Sequence, residues 1–526
     1  MKYYIYRNFT VENLFIGHHA EFSGYSDLTQ VPEDATNYVW FYLPSINLNT
    51  FELANEVFDF KSRLDYLLTR IPTNKRFLLF TLDCLFEFKG ESSSTMVDAA
   101  IQEYNAHLYD LSSKHQNVKV IDFRRFIVSA GQGVFDWRFY YISQSLINPK
   151  FNATFALWFQ KQLDAIDGKR KKCLVLDLDN TLWGGILGED GLDGIQLGNT
   201  YPGRAYYDFQ IGLMQAKDSG VILTLCSKNN ESDVLEYWEK HPAQVLRRNH
   251  VAAYRINWRD KATNIRELAE ELNIGLDSMV FIDDNSAERE RVKQELPMVS
   301  VPDFPKQPYL LPQFLKEVYQ EHFQIYQLTA EDKKKTDQYI ANAERKVFSQ
   351  AFKNADEYLA SLLMELRVFT GDEYSIPRIA QMTQKTNQFN LTTPRLTEQD
   401  LWNCLQAGAM VNCLGVKDRF GDNGITGASI ISIHDNAASI DAFLLSCRIL
   451  GRDIEKAYLF FLINELQTRG IEIIEAAYIP TAKNMQTEKF YESCGFSCIQ
   501  DENGTMRYQM VLKSKIEIKP YYKFEI

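Results

Sequence analysis

The segment from Cys173 to Thr181 reads Cys-Leu-Val-Leu-Asp-Leu-Asp-Asn-Thr and constrains this chain most strongly, because an apolar, β-prone run ends in two carboxylates. Alternate strand residues point to the same face, so Asp177 and Asp179 can be presented together just beyond the strand end, where open α/β sheets bind ligands. Such a pair suits a nucleophile on phosphorus and a general acid/base, with a divalent ion bridging carboxylate and phosphate oxygens. A chance Asp-rich turn is the alternative on this segment alone.

Three further polar elements follow in the order that haloacid-dehalogenase (HAD) phosphatases show. A second buried-type strand ends in Ser227, whose hydroxyl can bind a phosphoryl oxygen. Lys261 opens a helical pattern, where it can offset phosphate charge and keep the nucleophile ionised. A third strand is tipped with Asp283 and Asp284, the expected magnesium ligands. Four elements in this order leave little room for the alternative in which Lys261 is a surface lysine and Ser227 a strand cap.

The residues around these elements resemble the FkbH-like family of the HAD superfamily over roughly residues 170 to 500. The resemblance rests on four blocks: Leu176-Asp-Leu-Asp-Asn-Thr-Leu-Trp-Gly-Gly-Ile-Leu-Gly-Glu-Asp-Gly191, Cys226-Ser-Lys-Asn229, Phe281-Ile-Asp-Asp-Asn285 and Thr386-Asn-Gln-Phe-Asn-Leu-Thr-Thr393. It implies a magnesium-dependent glyceryl transferase and phosphatase. Such an enzyme takes a phosphoglyceryl unit from 1,3-bisphosphoglycerate, removes phosphate, and delivers the glyceryl group to the phosphopantetheine thiol of an acyl carrier protein.

The resemblance and the residue chemistry together give each side chain an expected role. Asp177 attacks phosphorus, and Asp179 protonates the leaving oxygen and later activates water. The expected phosphate-binding residues are Thr181, Ser227, Lys228 and Lys261. The expected metal ligands are Asp177, Asp179, Asp283 and Asp284.

Cys226 is the residue that could convert a phosphatase into an acyl transferase. It lies beside Ser227, where Lys228, Lys261 and magnesium could stabilise a thiolate that carries the glyceryl group as a thioester. Strand alternation opposes this role, because neighbouring residues face opposite ways unless the strand has already ended. A buried strand cysteine is the alternative.

Length and patterning predict a three-domain α/β enzyme. A chain of 526 residues exceeds what one core normally supports. The expected domains are an SGNH- or flavodoxin-like α/β domain at 1–165, a HAD-type Rossmann-like parallel sheet at 170–305, a connecting segment at 306–346, and a GNAT-like α+β acyltransferase domain at 347–515. The first domain lacks a convincing nucleophilic serine block and is expected to be a noncatalytic docking domain. Its His18-His19 pair is expected at the surface, with a metal or catalytic site as the alternative.

The C-terminal part resembles a GNAT-type fold in its expected acyl or pantetheine site. Ile440 to Asp453 resembles a strand followed by a turn that feeds amides to a pyrophosphate at a helix start. Asp453 stands at the final glycine position of that turn, where its charge would repel a nearby phosphate, so a pantetheine arm bound without the adenosine phosphate is an alternative to CoA. The expected contacts are Arg448, Gly451, Arg452, Asn484 and Tyr491, with Tyr491 as general acid to a thiol. A structural tyrosine and an ordinary turn are the alternatives.

Charge and absent signals exclude several classes of protein. A formal charge of −12 opposes a nucleic-acid surface. The start, Met1-Lys-Tyr-Tyr-Ile-Tyr-Arg-Asn-Phe, lacks a signal-peptide core, and no window reaches membrane-spanning length, so a cytoplasmic protein with no membrane contact is expected. Eight cysteines are scattered without a metal-ligand pattern, so reduced thiols are expected.

The first and second motifs lie only about 50 residues apart, which leaves little room for a large cap domain. An uncapped site favours a carrier-tethered or protein-bound substrate. Two other classes stay open. One is a HAD phosphatase fused to a CoA-dependent acyltransferase that modifies a sugar or another small molecule; the other is a noncatalytic assembly module.

Overall fold

The computed structural model of the protein describes residues 2–45, 50–83, 96–115, 117–131, 133–326, 335–502 and 504–525. Cys84, one of the eight cysteines, and residues 327–334 of the expected connecting segment lie outside the described residues. The chain forms two compact units, Met1–Asp167 and Gly168–Ile526. Within the described residues, no helix combines the length and apolar character that a bilayer crossing requires.

The first unit is a five-stranded sheet in the order β2-β1-β3-β4-β5, in which every described neighbour pair is parallel. Its elements are β1 (Lys2–Arg7), β2 (His19–Tyr25), β3 (Asn37–Phe41), α1 (Thr50–Leu68), β4 (Arg76–Phe80), α2 (Met96–Lys114), β5 (Val118–Ile121), α3 (Phe123–Ala130), α4 (Trp137–Ser143) and α5 (Asn152–Ile166). This strand order is that of flavodoxin-like doubly wound sheets. The predicted parallel α/β architecture is confirmed here.

Stacked aromatic rings fill the core of the first unit. The rings of Trp40 and Tyr42 stack with centroids 3.8 Å apart, and Phe41 stacks on Phe80 at 4.2 Å on the other face of the sheet. Rings of this size contribute most of the buried apolar area in such a core. His18 belongs to the same packing, because its ring lies edge-on to Phe159 at 5.3 Å and burial lowers its pKa. His18 is therefore a half-buried packing residue, whereas His19 is exposed as expected.

The second unit begins with a four-stranded parallel sheet in the order β8-β7-β6-β9. Its elements are β6 (Cys173–Leu176), α6 (Leu187–Gly194), α7 (Gly203–Asp218), β7 (Ile222–Ser227), α8 (Glu231–Lys240), β8 (Ala253–Ile256), α9 (Lys261–Leu272), β9 (Met279–Ile282), α10 (Ser286–Glu295) and α11 (Leu311–His322). We call it the phosphate-motif sheet. Only α6 and α7 separate β6 from β7, so the prediction that no large cap is inserted there is confirmed.

A mixed sheet completes the second unit, in the order β16-β17-β15-β14-β13-β12-β10-β18, with β11 paired to β14. Its elements are α12 (Lys335–Ser349), α13 (Ala355–Ser361), β10 (Met364–Thr370), α14 (Ile376–Lys385), β11 (Phe389–Asn390), α15 (Glu398–Gln406), β12 (Met410–Asp418), β13 (Gly421–His434), β14 (Ala437–Leu445), α16 (Ile454–Thr468), β15 (Ile473–Tyr478), α17 (Phe490–Ser493), β16 (Ser497–Glu502), β17 (Thr505–Val511) and β18 (Tyr522–Glu525). Antiparallel pairing dominates, and β14 and β15 pair in parallel.

The described part of the expected connecting segment, 306–346, packs into both sheets of the second unit. Leu315 of α11 is buried in the same apolar core as Leu213 of the phosphate-motif sheet's α7. In α12, Tyr339 enters the core on the other face of that sheet. The Gln338 side chain of the same helix donates to the Asn423 carbonyl of the mixed sheet at 3.3 Å. Buried apolar side chains and a directed hydrogen bond thus make these helices structural parts of the second unit.

Helix α12 is also joined to the mixed sheet by a buried ionic group, which we call the arginine cluster. Arg345 makes two hydrogen bonds to the Asp418 carboxylate, at 2.6 and 2.7 Å, and Arg452 donates to the same carboxylate at 2.8 Å. Each of the three side chains is at most 4% exposed. Burial and the neighbouring Arg345 lower the pKa of Arg452 to about 10.

Strand β11 occupies the space between the ends of β14 and β15. These two strands pair only up to Ile440. Beyond that point the Leu391 amide donates to the Phe443 carbonyl at 3.3 Å, and the Ile479 amide donates to the Leu391 carbonyl at 2.8 Å. A segment of the chain itself therefore satisfies the backbone groups that the diverging strands would otherwise leave unpaired.

Candidate active site

Strand register brings the first and third motifs to one edge of the phosphate-motif sheet. Leu176 of β6 is paired with Ile282 of β9, and the Asp177 amide donates to the Ile282 carbonyl at 2.9 Å. Asp177 and Asp283 are the next residues of these strands, so both leave the sheet at the same level. The carboxyl ends of parallel strands form the usual ligand-binding edge of such sheets.

Lys261 links the two carboxylates from the first turn of α9. Asp260 caps this helix, since its carboxylate accepts a hydrogen bond from the Thr263 amide at 2.8 Å. The Lys261 ammonium then lies 3.0 Å from Asp177 and 2.6 Å from Asp283 and is almost fully buried. Burial lowers the pKa of Lys261, but the two carboxylates outweigh it and raise the pKa, so the side chain is held as a cation.

Asp177, Asp283 and Asp284, which with Lys261 we call the carboxylate cluster, lie together. One oxygen from each of the three carboxylates lies within 4.8 Å of the others. Burial first, and then the negative charge of Asp177, raise the pKa of Asp283 to about 7 and that of Asp284 to about 6. One ammonium cannot neutralise three carboxylates at this distance. A set of hard oxygen donors with excess negative charge fits Mg²⁺ or a similar cation.

Asp179 is held apart from this cluster by its own hydrogen bonds. Its carboxylate accepts from the Trp183 indole at 3.0 Å, the Leu187 amide at 3.1 Å and the Asn229 side chain at 2.8 Å. Burial raises its pKa although these donors oppose the shift. The structure thus corrects one expectation, because the Asp179 carboxylate is engaged elsewhere and is not among the clustered metal ligands. A positioned carboxyl with a raised pKa suits a general acid/base.

The structure places the expected phosphate-binding residues around the cluster. The Thr181 hydroxyl accepts from the Asp284 amide at 3.2 Å, which joins the first and third motif loops. The Ser227 hydroxyl lies at the end of β7, buried, 3.4 Å from the Asn229 side chain. Lys228 instead forms an ion pair with Glu288 at 2.5 Å. Glu288 therefore already balances the charge of Lys228, whereas the carboxylate cluster has negative charge in excess.

Cys226 faces the opposite side of β7 from Ser227. Its side chain is fully buried in the apolar core that contains Val175 and Ile265, and its thiol contacts the Lys261 carbonyl at 3.8 Å. Burial raises the pKa of this thiol, and the opposing effect of Lys261 is smaller. The expectation of a stabilised thiolate at the mouth of the site is wrong, because strand alternation turns the side chain into the core.

The expected acyl or pantetheine contacts are mostly internal. The Asn484 side chain is fully buried, accepts from the Thr481 amide at 2.7 Å and donates to the Asn390 carbonyl at 2.9 Å. Arg452 belongs to the arginine cluster. Tyr491 is 1% exposed, and its hydroxyl has no hydrogen-bond partner among the described residues. Burial raises the pKa of Tyr491, so it is a core residue rather than a general acid.

The turn before α16 contains Gly451, one of the expected contacts, and Asp453, the residue at the final glycine position of the expected turn. Gly451 has a φ of +80° and Asp453 one of +51°, so the turn takes a left-handed conformation at both positions. Glycine adopts this conformation without strain. The side chain of Arg448 lies outside the described residues.

The contacts of three side chains at the site were not predicted from the sequence. Asn229 and Trp183 hold Asp179, and Glu288 pairs with Lys228. The signal for Asn229 was its position two residues after Ser227, which directs it to the same edge. From its sequence position Trp183 fits either a tight flap beside the metal site or the core, and its indole N–H, four residues after Asp179, is within reach of that carboxylate. Glu288 lies 60 residues beyond its partner, and nothing local indicates it.

Comparison with known proteins agrees with this geometry. Residues 172–308 match the family model of NLI interacting factor-like phosphatases. The structure is similar to the crystal structure of the N-terminal part of the protein BF1531 from Bacteroides fragilis, which contains a phosphatase domain complexed with Mg. That similarity has 25% sequence identity and a TM-score of 0.53 and covers 62% of this chain and 94% of the other. The chain contains a HAD-type phosphatase domain and is an enzyme.

Weaker similarities link the chain to acetyltransferases. The ribosomal-protein-S18-alanine N-acetyltransferase from Escherichia coli has 14% identity and a TM-score of 0.23, covering 29% of this chain and 97% of its own. The PaiA N-acetyltransferase from Thermoplasma acidophilum, in complex with coenzyme A, has 12% identity and a TM-score of 0.24, covering 28% and 99%. At these TM-scores neither carries an argument about this chain. No curated protein matches the sequence.

Proposed function

We propose that this protein is a magnesium-dependent phosphatase in which Asp177 is the nucleophile. The observation that carries the proposal is the carboxylate cluster, where Lys261 bridges Asp177 and Asp283 while Asp284 adds further negative charge. Carboxylates crowded in this way retain their charge when a divalent cation binds. The magnesium in the phosphatase domain of the Bacteroides fragilis protein supports the choice of metal.

The reaction follows from the positions of two carboxylates. The Asp177 carboxylate attacks phosphorus, forming an aspartyl phosphate and breaking the bond to the leaving oxygen, which takes a proton from Asp179. Asp179 then removes a proton from water, which attacks the same phosphorus, so that inorganic phosphate leaves and Asp177 is regenerated. The Lys261 ammonium lies 3.0 Å from Asp177 and holds the attacking carboxylate in place, and the Ser227 hydroxyl is placed to donate to a phosphoryl oxygen. Bound Mg²⁺ would supply charge neutralisation between the Asp177 carboxylate and the phosphate oxygens.

The substrate proposed is a phosphoglyceryl unit derived from 1,3-bisphosphoglycerate, and the acceptor is the phosphopantetheine thiol of an acyl carrier protein. The support is the FkbH-like resemblance of the sequence blocks together with the uncapped site, which admits a substrate on a long arm. Because Cys226 is buried, the glyceryl group passes directly to the carrier thiol. The carrier thiol loses its proton as its sulfur forms the new bond to the acyl carbon, and the bond from that carbon to the C1 phosphate oxygen breaks, so that inorganic phosphate leaves with the electron pair and takes up the proton. The phosphate that Asp177 attacks is the remaining C3 ester.

Intact-mass spectrometry combined with a phosphate-release assay tests both levels of this proposal. The protein is incubated with 1,3-bisphosphoglycerate and candidate carriers, with Mg²⁺ or with EDTA. We expect phosphate release that requires Mg²⁺ and a carrier mass increased by one glyceryl group. No Mg²⁺-dependent release would overturn the phosphatase. Release with every carrier mass unchanged would overturn only the transfer to a carrier.

The variant Cys226→Ala tests the direct route. Removing a buried thiol should lower stability by about 1 kcal/mol and leave the ratio of carrier loading to phosphate release unchanged. Selective loss of loading would show that this thiol carries the glyceryl group after all. Cys173→Ala is the matched control, since Cys173 is equally buried in the same core.

A further inference from the structure

Two loops at the carboxyl edge of the phosphate-motif sheet hold the Asp179 carboxylate between them. The Leu187 amide, at the start of α6, donates to one of its oxygens at 3.1 Å, and the Asn229 side chain, just after β7, donates to the other at 2.8 Å. One residue from each donor the chain reaches solvent, since Ile186 is 38% exposed and Asn230 is also exposed. The general acid of the proposed reaction therefore lies between two loops whose outer residues are in contact with water.

An exposed indole ring is fixed beside the second of these loops. Trp258 is 70% exposed, and its indole N–H donates to the Asn230 side chain at 3.0 Å. The turn that carries the ring is also fixed. The Asn257 amide donates to the Ser227 carbonyl at 3.1 Å, and the Asn257 side chain accepts from the Arg259 amide at 3.0 Å. Single exposed apolar side chains are common on protein surfaces, but this one is oriented by hydrogen bonds at the edge of the site.

The position of the general acid determines the path of the leaving group. The leaving oxygen must come within hydrogen-bond reach of Asp179 to be protonated. Leu178 and Trp183, beside this carboxyl, are fully buried, so the remaining atoms of the leaving group cannot extend into the domain. The described chain between β6 and β7 contains only α6 and α7, so no large cap domain inserted there encloses these atoms. A long leaving group therefore extends outward, past Ile186 and Trp258.

We propose that Ile186 and Trp258 are specificity-determining residues that contact the leaving group beyond its ester oxygen. They select a leaving group on an extended chain of methylene and amide units, such as a pantetheine arm, over a short one. This inference rests on the proposed function, in which Asp177 attacks the remaining C3 phosphate ester of a glyceryl unit bound to a pantetheine thiol. Methyl and methylene groups bind the face of an indole ring by apolar contact, and an amide N–H can point at the same face.

The contact is remote from the reacting phosphorus, so it is equally strong in the bound substrate and in the transition state. Loss of such an interaction raises KM and leaves kcat unchanged. A side chain that shaped the site itself would instead lower kcat, and it would do so for every phosphate ester. The two cases are separated by comparing two substrates that differ only in the arm.

The 3-phosphoglyceryl thioester of pantetheine and the 3-phosphoglyceryl methyl thioester, which lacks the arm, make this comparison in the full-length protein with Mg²⁺. We expect the kcat/KM of the wild type to be about tenfold higher for the pantetheine thioester, as burial of on the order of 60 Å² of apolar surface gives. Trp258→Ala should reduce this preference about fivefold through a higher KM, and Ile186→Ala about twofold. Trp258→Phe keeps an apolar ring and should keep most of the preference.

Tyr374→Ala is the matched control, because Tyr374 is an aromatic side chain that is 90% exposed and precedes α14 in the part of the chain that forms the mixed sheet. It should leave both substrates unaffected. All three positions are exposed, so the changes should leave the fold intact. A wild type without preference, a preference that Trp258→Ala leaves unchanged, or an equal fall in kcat/KM for both substrates would overturn the proposal.

Hydroxyl-radical footprinting tests the contact without turnover. The protein with Mg²⁺ and inorganic phosphate is labelled in the presence of the glyceryl thioester of pantetheine, which has no phosphate to lose, or of glycerate. Oxidation of Trp258 is measured by peptide mass spectrometry, with Trp137, an exposed tryptophan of the first unit, as the reference. At saturation the thioester should slow oxidation of Trp258 about threefold or more, because the bound arm covers the ring, and glycerate should not.

The two proposals fail separately. No protection of Trp258 would overturn this inference whatever the kinetics show. Absence of Mg²⁺-dependent phosphate release from either ester would overturn the proposed function alone, and the footprint would then decide whether Trp258 contacts the arm.

Discussion

Two buried ionic groups in the second unit differ in their charge balance. In the arginine cluster, two guanidinium groups surround Asp418, and the carboxylate is engaged by both. In the carboxylate cluster, a single ammonium faces three carboxylates, and the pKa values of Asp283 and Asp284 are raised as a result of burial and mutual repulsion. This difference in charge balance distinguishes a buried ion-pair group that stabilises the fold from a group that is suited to binding a metal ion. The first group has one positive charge in excess, which nearby Glu455 of the same chain partly offsets, whereas the second has negative charge in excess, which a cation from solution can balance.

The largest expected effect removes the nucleophile from the carboxylate cluster. Asp177→Asn should lower phosphate release on the order of 10⁴-fold or more, because the attacking oxygen and one metal ligand are lost together. Release is measured under saturating Mg²⁺, and the fold is checked by urea unfolding. The exposed Asp501→Asn is the control. Near wild-type release by Asp177→Asn would show that this cluster is not the reaction centre.

Breaking the arginine cluster should instead affect stability. Asp418→Asn leaves two buried arginines without their shared anion and should cost about 3–5 kcal/mol in the free energy of unfolding. The kcat of the remaining folded enzyme should stay close to that of wild type. Urea unfolding and phosphate release together make the test. A kcat that falls as steeply as stability would place this group in the catalytic machinery and remove the contrast between the two clusters.

Lowering the excess charge of the carboxylate cluster should stabilise the metal-free protein. Asp284→Asn removes one repelling carboxylate and should raise the free energy of unfolding in EDTA by about 1 kcal/mol, a value reduced because Asp284 is partly solvated. In excess Mg²⁺ the wild type should gain more stability than the variant, since it binds the ion more tightly. The exposed Glu290→Gln on α10 should change neither value. A variant less stable than wild type in EDTA would show that the cluster is not over-charged.

The smallest expected effect concerns the indole that positions Asp179. Trp183→Phe removes the N–H that donates to this carboxylate and should lower kcat about three- to tenfold, which corresponds to about 1 kcal/mol, with little change in KM. Trp238→Phe is the matched control, because its indole N–H is buried without a partner among the described residues. Equal effects of both changes on kcat would assign Trp183 to packing alone.

Much of the fold follows from local pattern. The runs Cys173–Leu176 and Met279–Ile282 are apolar and β-prone, and the chain between and beyond them alternates strand with helix, so a parallel sheet with polar residues at its carboxyl edge could be predicted. The meeting of Asp177 with Asp283 follows from this topology. Pairing across long separations does not, and the arginine cluster joins residues 73 positions apart with no local signal.

The errors at Cys226 and Tyr491 have one physical source. Both residues were assigned chemistry from the resemblance of short blocks. The direction in which a side chain points depends instead on where the strand or helix around it begins and ends. Strand β7 continues to Ser227, so Cys226 still alternates inward. Tyr491 is the second residue of a short helix whose apolar face packs in the mixed-sheet core, and the ring of Phe496 lies 5.1 Å from its ring. A one-residue shift of an element boundary would have reversed the first conclusion.

Helix α12 carries a consequence for how this protein can be recombined. Its Tyr339 is packed in the core of one sheet, and its Arg345 is bound to Asp418 of the other. A crossover between related genes just after residue 346 would pair a helix from one parent with an Asp418 from another. A chimera that exchanges the mixed sheet must therefore keep two residues together: the arginine at position 345 of α12 and the aspartate at position 418, at the end of β12. The mixed sheet can be inherited intact only together with the helix that precedes it.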